Sequence, residues 1–145
     1  MVLEAGKKAL IESDFLSGLR QSDKRHDKVV RALGAHRNGD LELRVLSSAV
    51  MEVRAVLYSR GLGPSESEDA LSLMDAILAE YGVRTFLPVE MADVVVAERL
   101  RLQQAELGFF DSLHAATSRR LGLPILSPEG IYRRIGIPAL DWDKL

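Results

Sequence analysis

Short apolar runs alternate with stretches of helical period from one end of this chain to the other. That alternation constrains the fold more than any other feature. Ala9-Leu10-Ile11 is a brief apolar run bounded by polar residues, as in a buried strand. A helical stretch follows from Phe15 to about Arg20, and Asp23 to about Arg37 reads as a helix with Val29, Val30 and Leu33 inward. Asn38-Gly39-Asp40 signals a turn, and Leu41 to Leu46 a second strand. Ser47 or Ser48 can cap a helix running to about Arg60, which Gly61-Leu62-Gly63-Pro64 breaks. Ser65 and Glu68 form a capping-box pattern opening a helix to about Tyr81. Val83–Leu87 reads as a third strand and Val89 to about Glu106 as a long helix. Asp111–Leu121 reads as another helix, with Gly122 suited to its end. Pro124-Ile125-Leu126 and Ile137–Leu140 are short final strands. Strands separated by helices predict an α/β fold. The expected form is a three-layer α/β/α sandwich on a mainly parallel sheet of four or five strands. With no repeat, linker or low-complexity segment, residues 1–145 read as one domain.

Composition removes several function classes. The chain lacks cysteine, so disulfides, thiol catalysis and cysteine-based metal sites are excluded. Three histidines argue against a His-rich metal site. A net charge of −2 is not that of a generally basic nucleic-acid binder, so any such contact needs a local patch. Charge is unevenly spread: residues 64–98 hold eight acidic side chains against Arg84 alone, whereas residues 20–44 hold seven basic against four acidic. No apolar run approaches a membrane span, and Glu4, Glu12 and Asp14 interrupt any leader-like pattern, so a soluble cytoplasmic protein is expected. Gly34 to Gly39 is followed by Asp40 and is not a P-loop, and Gly61-x-Gly63 follows a helix instead of a strand. Neither HExxH nor G-x-S-x-G occurs.

The remaining chemistry lies in carboxylates at strand ends and helix starts. An open parallel sheet binds ligands outside the carboxyl ends of its strands. Glu12 and Asp14 stand where the first strand ends, Asp111 where a helix begins, and Glu129 after the strand at Pro124-Ile125-Leu126. Glu52 shares a helix side with Ala49, Val53 and Val56. A carboxylate on a buried side needs a cation or hydrogen-bond partner, and crowded carboxylates suit Mg²⁺ or Mn²⁺. Each residue also has an ordinary reading: Asp111 as an N-cap, Glu12, Asp14 and Glu129 as turn residues, Glu52 as partner of a buried arginine.

The run FFDSLHAATSRRLGLPILSPEGIYRRIGI resembles the C-terminal pattern of the PIN-domain family, in particular VapC-like toxin ribonucleases. SSAVMEVRAVL is similar to the segment carrying the family's helical Glu, and ALIESDFLSGL to its opening strand. The resemblance implies a metal-dependent ribonuclease, with RNA as substrate, Mg²⁺ or Mn²⁺ as cofactor, a small antitoxin as partner and a homodimer as the assembly. It places Asp111 and Glu52 on acidic positions of matching type. Glu12 and Glu129 fall where the family usually carries Asp, unless Asp14 supplies the first carboxylate. The implied catalytic set is Glu12, Asp14, Glu52, Asp111 and Glu129, with Glu12, Asp14, Asp111 and Glu129 as metal ligands. Ser13 and Ser127 would bond carboxylates or phosphate, and Lys24, Arg25 and Arg119 are candidate phosphate contacts. The two Glu replacements keep an alternative in view: a nuclease-dead PIN fold acting as an interaction or scaffold protein. A response-regulator-like domain would need a middle strand ending in Asp, which is missing here. Leu57, Leu62, Leu71 and Leu78 are expected to be exposed and to serve the dimer.

Overall fold

The computed structural model describes residues 7–127 and 130–145. Five parallel strands form one sheet in the order β3-β2-β1-β4-β5. They are β1 (Lys7–Ile11), β2 (Leu41–Leu46), β3 (Phe86–Leu87), β4 (Ile125–Leu126) and β5 (Ala139–Leu140). The register pairs Ile11 with Val45 on one side and with Leu126 on the other. Ala9, Leu10 and Ile11 are fully buried, because a central parallel strand has helices on both faces. The chain winds outward from β1 through β2 to β3, then returns to the far side of β1 for β4 and β5. The order therefore reverses between β1 and β4, and the crevice at their carboxyl ends is where such sheets bind ligands.

The helices are α1 (Ser13–Ser17), α2 (His26–Arg37), α3 (Ser47–Ser59), α4 (Pro64–Glu80), α5 (Met91–Gln103), α6 (Phe109–Leu121) and α7 (Ile131–Arg134). A 3₁₀ turn, Trp142–Lys144, follows β5. Helix α6 buries Ala115, Ala116, Thr117 and Ser118, small side chains that allow close packing. Its end is closed by Gly122 at φ 67°, a left-handed position that glycine adopts without strain. Buried Trp142 packs its ring against Phe15 of α1, at 6.3 Å between centroids.

Several boundaries differ from expectation for local reasons. Helix α2 begins at His26 because the Asp23 carboxylate accepts from the Arg25 backbone N–H at 2.8 Å, holding a turn there. Helix α4 begins at Pro64, whose ring favours the first helical position, so Ser65 lies inside the helix and the Ser65–Glu68 box is not its cap. A capping box forms instead at Glu90 and Asp93. Val83 lies just past α4 and its N–H donates to the Leu78 carbonyl, closing the helix end, so β3 is confined to Phe86–Leu87. Helix α5 is shorter than the span from Val89 to Glu106, and β5 shorter than Ile137–Leu140. Leu57 and Leu78 are buried in the core, and Leu62 and Leu71 pack partly against it, which corrects the expectation of exposure. The large exposed apolar side chains include Met91, Val94, Val95 and Leu102 of α5, and Phe109. Among the described residues, no helix is long and apolar enough to cross a membrane.

Candidate metal centre

Glu12 is the N-cap of α1, directly beyond the last residue of β1. Its side chain is 1% exposed and accepts from the Asp14 N–H at 3.0 Å. Helix α3 starts immediately after β2 and brings Glu52 to the same sheet edge, where its carboxylate meets α6. Asp111 is the third residue of α6, since Gly108 is the N-cap, so the N-cap reading of Asp111 does not hold. Tyr132 of α7 donates its hydroxyl to Asp111 Oδ1 at 3.3 Å.

The group that joins these elements is His114, fully buried one turn after Asp111. Its Nε2 lies 2.8 Å from Glu52 Oε1, and its Nδ1 lies 2.7 Å from Ser48 Oγ. With Glu52 ionised and the ring neutral, Nε2–H donates to the carboxylate and the Ser48 hydroxyl donates to Nδ1. Glu12, Asp111 and His114 each present one ligand atom, and the three atoms lie within 4.8 Å of one another.

The electrostatics follow from this packing. Burial pushes the Asp111 carboxyl above its ordinary value, and the neighbouring Glu52 and Asp14 push it the same way against the pull of His114 and Tyr132. Burial also works to raise Glu52, but hydrogen bonds from His114 and Ser13 outweigh it and hold Glu52 below the ordinary value. Two carboxylates and an imidazole at this spacing are a donor set that fits a divalent cation, whose charge would offset the like-charge crowding around Asp111.

The structure thus brings Glu12, Glu52 and Asp111 together. Asp14 is close enough to raise Asp111, but its Oδ1 sits 2.8 Å from Arg25 Nη1 in an ion pair. Between the two candidates for the first carboxylate, the geometry favours Glu12. Arg25 is engaged by both Asp14 and Asp23, so it is not a free phosphate contact. Arg119 is exposed in the last turn of α6, eight residues beyond Asp111 and about 12 Å along the axis, so it stands away from the cluster. Lys24 is exposed. Ser127 is buried, and its N–H extends the β4–β5 pairing to Leu140. Glu129 lies outside the described residues. Sequence reasoning missed His114, although Asp111-x-x-His114 is a spacing that puts two side chains on one helix face. Tyr132 had no comparable signal.

An open parallel sheet with carboxylates gathered at its switch point is the architecture of a ligand-binding α/β domain. The chain belongs to the PIN domain family: residues 9–137 match that family as a whole. Solved structures share the fold at low identity. VapC20 of Mycobacterium tuberculosis, a Sarcin-Ricin loop cleaving toxin, superposes with a TM-score of 0.69 and 16% identity over 91% of this chain and 98% of that one. VapBC2 of Rickettsia felis, bound to a DNA fragment from its promoter, gives 0.68 and 13% over 92% and 97%. FitAcB of Neisseria gonorrhoeae gives 0.67 and 18% over 94% and 99%. No curated protein matches by sequence.

Proposed function

We propose that this PIN domain is a divalent-metal-dependent endoribonuclease, and that it is the toxin of a toxin–antitoxin pair. The observation that carries the proposal is the meeting of Glu12, Glu52 and Asp111, from three separate elements, at the carboxyl edge of β1. Glu12, Asp111 and His114 would hold the ion, with Mg²⁺ or Mn²⁺ as the candidate ions. When bound, such an ion supplies charge stabilisation to a phosphodiester and lowers the pKa of a bound water. Glu52, which His114 and Ser13 keep ionised in the metal-free site, would accept a proton from a water at the cluster. Ser13 orients Glu52, joined by His114 in the metal-free site, and Tyr132 orients Asp111. The likeness to VapBC2 and FitAcB supports an antitoxin-type protein partner, and a second copy of this chain is proposed as the assembly partner.

The test is incubation of purified protein with single-stranded and structured RNA in Mg²⁺, Mn²⁺ and EDTA, alongside Asp111→Asn. Cleavage with metal, abolished by EDTA and by Asp111→Asn, is expected. The competing reading is a folded scaffold without nuclease activity. It is favoured by Glu12, which stands at a usual Asp position and spends a carboxylate oxygen on the Asp14 N–H. A folded wild type that cleaves no RNA with either ion would establish that reading.

A further inference from the structure

We propose that His114 is a direct nitrogen ligand in this site, and that it makes the site selective for a transition-metal divalent cation, Mn²⁺, Co²⁺ or Zn²⁺, over Mg²⁺. The inference rests on the metal-binding part of the reading above and not on RNA cleavage.

His114 is fully buried, yet one of its ring nitrogens offers a ligand atom within 4.8 Å of those of both Glu12 and Asp111. The other side of the ring is occupied, since Ser48 Oγ lies 2.7 Å from Nδ1 inside the core. That leaves Nε2 as the edge facing the carboxylates, where Glu52 Oε1 lies at 2.8 Å. Ser48 makes the ring usable in both states. Its hydroxyl donates to Nδ1 when Nε2 carries the proton, and accepts from Nδ1–H when Nε2 turns its lone pair to a metal. A hydrogen-bond partner on the far nitrogen is the usual support of a metal-bound imidazole. Glu52 keeps its hydrogen bond from Ser13 after the ring has let go, so it remains placed beside the ion. An imidazole nitrogen adds affinity for first-row transition ions, least for Mn²⁺ and more for Co²⁺ and Zn²⁺, whereas Mg²⁺ favours oxygen donors and retains its waters. The i, i+3 pair Asp111–His114 thus turns a carboxylate site into a mixed oxygen–nitrogen one.

The test is pulsed electron paramagnetic resonance on the full chain loaded with Mn²⁺, with and without isotopically labelled histidine. Affinities for Mn²⁺ and Mg²⁺ are measured in parallel by calorimetry. The other two histidines are engaged elsewhere, His26 with Gly18 and His36 with Gly82 and Leu43, so a histidine nitrogen coupled to site-bound Mn²⁺ belongs to His114. We expect that coupling in wild type, its disappearance with the bound ion in Asp111→Asn, and Mn²⁺ affinity more than about tenfold that for Mg²⁺. In His114→Gln the coupling should vanish and the preference should narrow to about threefold or less. Asp111-dependent Mn²⁺ without nitrogen coupling in the wild type overturns the proposal, whether or not His114→Gln folds. So does the absence of any Asp111-dependent binding. Nitrogen-coupled Mn²⁺ in a protein that cleaves no RNA upholds His114 as a ligand and overturns the nuclease reading alone.

Discussion

Replacing Asp111 with asparagine separates the metal site from the fold that carries it. The substitution keeps the size of the side chain and an oxygen to accept from Tyr132, while removing the charge. In wild type, a cation present at about a hundred times its Kd stabilises the native state by about 2.7 kcal/mol. For a domain of this size, each kcal/mol is worth about 4 °C, so Mn²⁺ should raise the melting temperature by about 10 °C. Asp111→Asn should cut that rise to under about 2 °C, because one of the two carboxylates is gone. Without metal the order reverses. Burial and the neighbouring carboxylates raise the Asp111 pKa above its ordinary 3.8, so the native state binds its proton more tightly than the unfolded chain does. A raised acid pKa means that stability falls as pH climbs from 3.8 through the folded value. Metal-free Asp111→Asn should therefore melt above wild type at neutral pH, and the gap should close as pH drops below 3.8. Differential scanning fluorimetry across pH, with EDTA or Mn²⁺, measures both effects. An unchanged metal-induced rise would refute the placement of Asp111 in the metal site. A metal-free Asp111→Asn that melts below wild type at every pH would refute the electrostatic reasoning.

Asp93 is buried and accepts from Thr117, from the Glu90 N–H and from two nitrogens of Arg120. Asp93→Ala should cost about 3 kcal/mol in urea unfolding, because a charge-assisted network is lost and Thr117 is left without its acceptor; a loss under about 1 kcal/mol would mean that water replaces those bonds. Trp142→Ala should cost about 3–5 kcal/mol by removing the ring that packs on Phe15, and a near-neutral result would show that the C-terminal turn is dispensable. The Arg25 guanidinium hydrogen-bonds Asp23 and depresses its pKa from 3.8 to about 2. Its stabilising effect is therefore full above 3.8 and lost as pH falls toward 2, so Asp23→Asn should flatten the acid limb of the stability curve in that window. Sedimentation should give twice the chain mass of 16.0 kDa, with Met91→Glu on exposed α5 shifting it toward the monomer; a wild-type mass that stays at 16.0 kDa at every concentration would refute the dimer.

Local pattern decided the class of fold. Ala9-Leu10-Ile11 is an apolar run too short for a helix, Leu41–Leu46 alternates apolar residues with Glu42 and Arg44, and the stretches between keep helical period, so a parallel sheet under helices followed from the sequence. Gly122 was legible as a helix end because only a residue tolerant of positive φ suits that position. Glu12, Glu52 and Asp111 were legible as candidates, since a carboxylate at a strand end or on an apolar helix face needs a reason. What the residues could not reveal singly is which of them meet. Glu12, Glu52 and Asp111 converge because β4 returns beside β1 after α6, an outcome of long-range packing that no short window contains. The same packing pairs Asp14 with Arg25, and sets Ser48 and Glu52 on either side of a histidine more than sixty residues away. A helix period can say that Asp111 and His114 share a face. Only the crossing of α6 over α3 shows what that face meets, because hydrogen bonds between distant segments depend on the register of the whole sheet.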